Sequence, residues 1–295
     1  MADPFAKWTG SKAWFVRGHL DKLPAQFKRA RSAFTGMGAI ELHMLETSPD
    51  MVLADNEPRL VNVWQVVKAD PEGLIRELAL LTKILGYNRP TFERIRAAVN
   101  AGSGTEVERA ARFLVIIFWG FNGLWRTAGP RSECNVAFGK PPKEGGDPPK
   151  LGDPEKIRAA SKVLQKAVIV SQDFAPTMAN AQRGDFVILD SPYDPLTVTA
   201  SFTAYGGGNW GKANADAQVS LFGASVDLDE QDRLAQEARK LDARGVKFLH
   251  FNQGTKRIRR LYAGFEQIPV EVARNGSCDA EGREPVTELM IRNYG

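Results

Sequence analysis

The sequence predicts an open α/β fold, with helices on both faces of a mixed, mostly parallel sheet and a helical, loop-rich insert. Three observations carry this. Gly36 and Gly38 form a Gly-x-Gly turn, followed by a helical pattern and an apolar run, MVLAD (51–55), that ends on Asp55. Apolar strand patterns alternate with helical ones again beyond residue 154, in KAVIV (166–170), GDFVILD (184–190) and VKFLHF (246–251). Between these two regions, apolar residues recur at helical spacing.

In chain order, SAFTGMGAI (32–40) closes a short apolar segment in the glycine turn, and Ile40, Leu42, Met44 and Leu45 open a helix. Strand, glycine turn, helix, strand and terminal acid begin a nucleotide-binding β-α-β unit, although the glycine fingerprint is incomplete. Between Glu57 and Trp125, Leu60, Val63, Trp64 and Val67 share one helical face, and Leu74, Leu78, Leu81 and Leu85 share another. Both faces read as core packing. The stretch 121–154 is rich in glycine and proline, with Arg and Lys among aromatics. Its FNG and AFG punctuation predicts ordered turns, and Pro141 to Pro154 an exposed connection. A helix at 154–166 leads into KAVIV, and a later one carries Leu234, Ala238 and Leu241. EQIPVEVA (266–273) and EPVTELMIRN (284–293) are the last strand candidates, and a polar loop at Gly206–Asp227 is long enough to be a lid.

The 295 residues include 43% hydrophobic and 25% charged side chains, ordinary for a globular protein. A net charge of +4 fits a nucleic-acid face and a merely well-solvated surface equally. Cys134 and Cys278 lie far apart with no CxxC or Cys/His cluster, which argues against a zinc site and a disulfide scaffold; no metal is expected. His19, His43 and His250 are scattered and read as structural. The longest apolar runs, such as Phe113 to Trp119, are too short to span a bilayer. The N-terminal MADPFAKW lacks a basic region followed by an apolar core, so a cytoplasmic location and no membrane partner are expected.

The sharpest motif is Asp190-Ser191-Pro192-Tyr193, at the end of an apolar strand, where open parallel sheets hold their ligands. An aromatic amine is a poor nucleophile because its lone pair is delocalised into the ring. A carboxylate accepting one N–H, with a backbone carbonyl accepting the other, draws the nitrogen towards tetrahedral geometry and exposes the lone pair. Asp190 is the candidate carboxylate, Ser191 the candidate carbonyl, and the Tyr193 ring a stacking face for the base. Asp, Ser and Pro are also turn formers, so the tetrapeptide alone reads equally as a strand-ending turn. In KWTGSK (7–12), Trp8 and Lys12 flank a glycine turn that suits a cofactor carboxylate or a plain N-terminal anchor. Gly36 and Gly38 allow close backbone approach to a nucleoside, whose ribose hydroxyls Asp55 can accept. No Lys, Arg or glycine-rich nest follows that turn and no GxxxxGK[ST] is present, which disfavours NAD and ATP.

Together and in this order, these segments resemble the Dam-type (D12 class) DNA adenine-N6 methyltransferases over nearly the whole chain, from FAKWTGSK at residue 5 to VTELMIRNY at the end. The resemblance implies an open, seven-stranded, Rossmann-like methyltransferase sheet. Residues 1–56 and 155–295 would form the S-adenosyl-L-methionine-binding catalytic domain, and 57–154 a helical target-recognition domain. It also implies transfer of a methyl group to the N6 amine of adenine in a specific duplex sequence, with the base flipped out of the helix. Asp190, Pro192 and Tyr193 match the catalytic motif, with Asp190 also bordering the cofactor. Trp8, Lys12, Phe34, Gly36, Gly38 and Asp55 match cofactor positions, and Asp173 and Phe174 sit where the family contacts the cofactor adenine. FNGLWR and CNVAFGK resemble the recognition loop, through Phe121, Asn122, Arg126, Asn135 and Lys140, whose nucleic-acid role stands beside a loop-stabilising one. A monomer or weak dimer acting on double-stranded DNA is expected.

Three departures stand out. Ser191 occupies a position usually held by proline, Ser32-Ala33 replace an acidic-proline pair before the glycine motif, and RTAGPRSECN departs from the usual recognition loop. The second of these predicts a missing acid near the methionyl end of the cofactor. Beside the adenine reading stand the same design acting on cytosine N4, RNA or another amine, and a DNA-binding protein that kept the fold and lost catalysis.

Overall fold

In the computed structural model, which describes residues 2–48, 50–128, 131–139, 147–195, 229–272 and 286–295, the glycine turn follows a strand of only three residues. A short helix α1 (Ala13–Gly18) precedes that strand, β1 (Ala30–Ser32); α2 (Ala39–Thr47) and β2 (Met51–Asp55) follow. Four helices come next: α3 (Pro58–Ala69), α4 (Pro71–Ile84), α5 (Arg89–Ala101) and α6 (Glu106–Trp119). A two-stranded hairpin, β3 (Thr127–Ala128) and β4 (Glu133–Cys134), then leads to α7 (Pro154–Leu164), β5 (Ala167–Ser171), α8 (Phe174–Ala179) and β6 (Phe186–Leu189). The last elements are α9 (Glu230–Ala243), β7 (Lys247–Gln253), α10 (Lys256–Leu261), β8 (Glu266–Val272) and β9 (Val286–Arg292).

The helices of the insert start where the chemistry of their caps dictates. The Asp70, Asn88 and Thr105 side chains each accept a backbone N–H from the first turn of α4, α5 and α6. Proline opens α3, α4 and α7, where its missing N–H costs nothing. Thr105 and Glu108 complete a reciprocal capping box. The stripes read from the sequence are core: Leu60, Val63, Trp64, Val67, Leu74, Leu78 and Leu81 are all buried, and Leu85 packs half-buried against them. Among the described residues, no helix is long and apolar enough to cross a membrane.

The main sheet has seven strands in the order β5-β2-β1-β6-β7-β9-β8. All neighbouring pairs are parallel except those of β9, which runs antiparallel to both β7 and β8. The order reverses between β1 and β6, so the chain leaves these neighbouring strands towards opposite ends of the sheet and opens a crevice at their carboxyl ends. The glycine turn after β1 and Asp190 after β6 both sit at that crevice. Helix α3 packs against β2 and β5 as well as α6, so sheet and helical layer share one apolar core that runs from Leu53 through Trp64 to Leu114.

Gly38 has a φ of +62°, and a Cβ there would lie 3.0 Å from two ring carbons of Trp64. Gly36 has a φ of +51° and lies under the Trp8 indole, while its carbonyl accepts Trp64 Nε1–H at 2.8 Å. The turn is thus clamped between two indoles in a conformation L side chains avoid. Gly38→Ala is expected to cost about 1–2 kcal/mol from the left-handed backbone, plus whatever moving Trp64 adds. A urea melt checks this, and wild-type stability would contradict it.

The expected strands and helices are present, with ends moved by a few residues. Within the loop-rich stretch, the ordered turns include the β3–β4 hairpin. Of the expected exposed connection Pro141–Pro154, 147–150 are exposed but Leu151 is buried in the core; 141–146, and Lys140 before them, lie outside the described residues. The Gly206–Asp227 loop lies outside them as well. His250 is a satisfied core histidine, and His19 packs against Trp14 and Phe15. The buried His43 Nδ1 differs: it has no hydrogen-bond partner among the described residues.

Candidate active site

Three chain segments converge on one cavity at the crevice. The N-terminal turn supplies Trp8 and Lys12, the loop and helix after β1 supply Phe34, Gly36, Gly38 and Glu41, and the loop after β6 supplies Asp190 to Tyr193. Asp55, at the end of β2, joins them, and the insert adds Leu124 and Trp125.

Asp55 is buried and held by two backbone donors, Gly36 N–H on Oδ2 and Glu57 N–H on Oδ1, each at 3.0 Å. These bonds lock the carboxylate beside the glycine turn. Lys12 is 4% exposed, and its ammonium lies 2.7 Å from Asp190 Oδ1 while donating to the Gly10 carbonyl at 2.6 Å. It also sits over the Tyr193 ring, 4.9 Å from the centroid. Thus the lysine read as a partner for a cofactor carboxylate faces Asp190 itself. Burial pushes the Asp190 carboxyl up from its ordinary range, Glu288 adds to that, and Lys12 opposes it.

Tyr193 donates its hydroxyl to Glu288 Oε2 on β9 at 2.7 Å. Burial, with Asp190 and Glu288 nearby, holds the phenol well above its usual pKa, so it remains a neutral donor. A fixed hydroxyl leaves the ring as the adaptable surface.

Behind the Asp190–Tyr193 loop lies a buried polar network. Gln231 Nε2–H donates to the Pro192 carbonyl at 2.8 Å, and Asn252 Nδ2–H donates to Gln231 Oε1 at 3.1 Å. Asn252 Oδ1 accepts the Asp194 and Gln253 amides at 2.9 and 2.8 Å. The Ser191 hydroxyl donates to the Pro192 carbonyl at 3.3 Å and accepts from Asn252 Nδ2 at 3.5 Å. His250 Nδ1 meets the Leu189 carbonyl at 2.9 Å, and since a carbonyl only accepts, the proton is on Nδ1. Burial lowers this histidine to about 4, keeping it neutral. These contacts restrain the loop from behind where Ser191 stands without a proline ring.

Asp173 and Phe174 are not brought to the cavity wall. Asp173 caps α8 through the Ala175 amide and pairs with Arg233, whose guanidinium covers the buried Phe174 ring at 4.3 Å. Phe174 packs against Phe34 of the cavity wall, 5.4 Å away between centroids. In the loop after α6, Asn122 has a φ of +53° inside a single 3-10 turn and is exposed, with Phe121 half-buried beside it. Arg126 Nε–H donates to Asn135 Oδ1 at 2.8 Å, bracing the hairpin. These residues lie on the part of the insert that also sends Leu124 and Trp125 into the cavity.

Glu41, Glu288, Gln231 and Asn252 escape a reading of the sequence. Glu41 has a signal: a charged residue between Ile40 and Leu42 in the largely apolar run AIELHML. Its Oε1 accepts the Ser32 hydroxyl at 2.7 Å, so a carboxylate stands on the residue where the sequence departs from the acidic-proline pair.

A sheet of seven strands with one reversed, and an acid-led loop at its switch point beside a nucleoside-type glycine turn, together define a methyltransferase. The chain belongs to the D12 class N6 adenine-specific DNA methyltransferase family, which it matches over residues 8–275. It is similar to the Type II methyltransferase M1.LlaDCHI of Lactococcus lactis subsp. cremoris, 30% identical, with 99% of this chain and 95% of the relative covered. It is 29% identical to the Type II methyltransferase M.MjaIII of Methanocaldococcus jannaschii, covering 99% of each chain. Against the DNA adenine methylase of Vibrio cholerae it is 30% identical, covering 97% of this chain and 94% of the relative. The protein is an adenine-specific DNA methyltransferase, and it acts with a methyl donor on DNA.

Proposed function

We propose that the donor is S-adenosyl-L-methionine and that the acceptor is an adenine flipped out of duplex DNA into the cavity. The observation that carries this is the meeting of the Asp190–Tyr193 loop with Gly36, Gly38 and Asp55 around one cavity. The chemistry of the wall fits the donor. Asp55 offers a fixed carboxylate for ribose hydroxyls, the glycine turn admits a nucleoside at backbone distance, and Trp8 and Phe34 give aromatic surface. When bound, the cofactor supplies a methyl group activated by its sulfonium. The Asp190 carboxylate accepts one N–H of the adenine amine and the Ser191 carbonyl the other, which turns the nitrogen lone pair outward. Tyr193, fixed through Glu288, offers its ring to the base plane. Lys12 keeps Asp190 ionised, the form that accepts most strongly.

Residues 57–154 form the target-recognition region in this reading, and 1–56 with 155–295 the catalytic one. Asn122 and the Arg126–Asn135 pair meet base edges, Phe121 stacks or wedges beside them, and Lys140 meets phosphate. Asp173 and Phe174 support the adenosine end from behind Phe34. Binding weakens with salt as phosphate contacts release counterions. The enzyme works on its duplex as a monomer or weak dimer, in the cytoplasm.

The test is to incubate the protein with methyl-labelled S-adenosylmethionine and duplex DNA and then digest to nucleosides. Label in N6-methyldeoxyadenosine is the expected result. Label in a cytosine nucleoside, or transfer only to single-stranded DNA or RNA, would overturn the reading.

A further inference from the structure

Among the described residues, four charged side chains line the cavity: Lys12, Glu41, Asp55 and Asp190. Lys12 and Asp190 form an ion pair, and Asp55 is tied to the backbone beside the glycine turn. Glu41 has no part in the chemistry described so far. It is 3% exposed, three residues beyond Gly38 on α2, between the core residues Ile40 and Leu42.

A carboxylate in such a place is costly unless something charged or strongly donating meets it. Burial pushes Glu41 up to about 7, and the Asp190 charge pushes the same way; the Ser32 hydroxyl and, more weakly, Lys12 oppose them. A glutamine would keep the Ser32 hydrogen bond without that cost, so the bond alone does not explain an acid here. With all four groups ionised, the wall carries three negative charges and one positive. That excess calls for a cation with N–H donors at the Glu41 end, since Lys12 already serves Asp190.

Resting on the reading of the cavity as the S-adenosylmethionine site, we propose that Glu41, oriented by Ser32, receives the α-ammonium of the cofactor's amino-acid end. Glu41 is thereby a specificity-determining residue for a donor with a free amine. It takes the ammonium by a charge-assisted hydrogen bond, in place of an acid at position 32 itself.

The test is calorimetric titration at pH 8 of wild type and Glu41→Gln with three probes: S-adenosylhomocysteine, its desamino analogue, and 5′-methylthioadenosine, which lacks the amino-acid end. Wild type is expected to prefer the amine-bearing ligand over the desamino one by about 10- to 100-fold, the scale of a hydrogen bond between charged groups. In Glu41→Gln that preference should collapse towards one, with methylthioadenosine bound as in wild type. Ser32→Ala, which leaves the carboxylate in place but unanchored, should show an intermediate preference. A wild-type amine preference in Glu41→Gln overturns the proposal, as does an equal loss of all three ligands, which would mark a purely structural role. If wild type itself binds none of the three, the cofactor reading fails and the proposal with it.

Discussion

Asp190→Asn is expected to lower kcat by about 10²–10³-fold, the scale for removing one preorganised group that acts on developing charge. The amide has one oxygen that accepts less strongly than a carboxylate, and it presents an N–H where the adenine amine needs an acceptor. The substitution also has a structural cost, because Lys12 is buried and loses its only carboxylate partner among the described contacts. Leaving that ammonium unpaired should lower stability by up to about 3 kcal/mol. The two effects separate in the double variant Lys12→Met/Asp190→Asn, which should regain most of the melting temperature and none of the turnover. Steady-state transfer and thermal melts on the same samples decide it. Turnover of Asp190→Asn within about tenfold of wild type, far short of the loss expected of such a group, would remove Asp190 from its role.

The strands and the insert are legible in the sequence because their signals are local. Alternation, apolar runs and helical stripes report a side chain's neighbours along the chain, and MVLAD or GDFVILD needs nothing more. Motif order alone groups Trp8, Lys12, Gly36, Asp55 and Asp190. What stays hidden depends on pairing across the sheet. Tyr193 and Glu288 are 95 residues apart, and Gln231 and Pro192 39 apart, with no period linking them. The reversed direction of β9 is of the same kind, since a strand's residues do not record which way its neighbour runs. Lys12 stands out in the sequence as a charged group of the site, but its partner Asp190 follows from the way the N-terminal turn folds over β6. Asp173 and Phe174 likewise take their places through contacts distant in sequence: Arg233 pairs with Asp173 and covers the Phe174 ring.

Lys12→Met should move the acid limb of the kcat/KM profile to higher pH. Asp190 must be ionised to accept the amine N–H, and its carboxyl is raised by burial and by Glu288, with Lys12 as the main opposing influence. Removing a positive charge 2.7 Å away therefore raises the carboxyl further. An opposite charge at such range lowers a carboxyl by about 1–3 pH units, so the limb should move up by about that much. Loss of rate at neutral pH should then be recovered in part as the pH rises. Glu41 and Tyr193 are the other titratable groups facing Asp190, and the phenol stays protonated across this range. Glu41 titrates at about 7 and would add a limb of its own, so the profiles are best compared in a Glu41→Gln background. Stability moves opposite to the rate. An acid whose folded pKa is raised contributes most below its ordinary value and loses that contribution as pH climbs to the raised one, so Lys12→Met should melt progressively lower over the same window. A rate reduced by one factor at every pH would mean that Lys12 only positions the loop and leaves the charge of Asp190 unaltered.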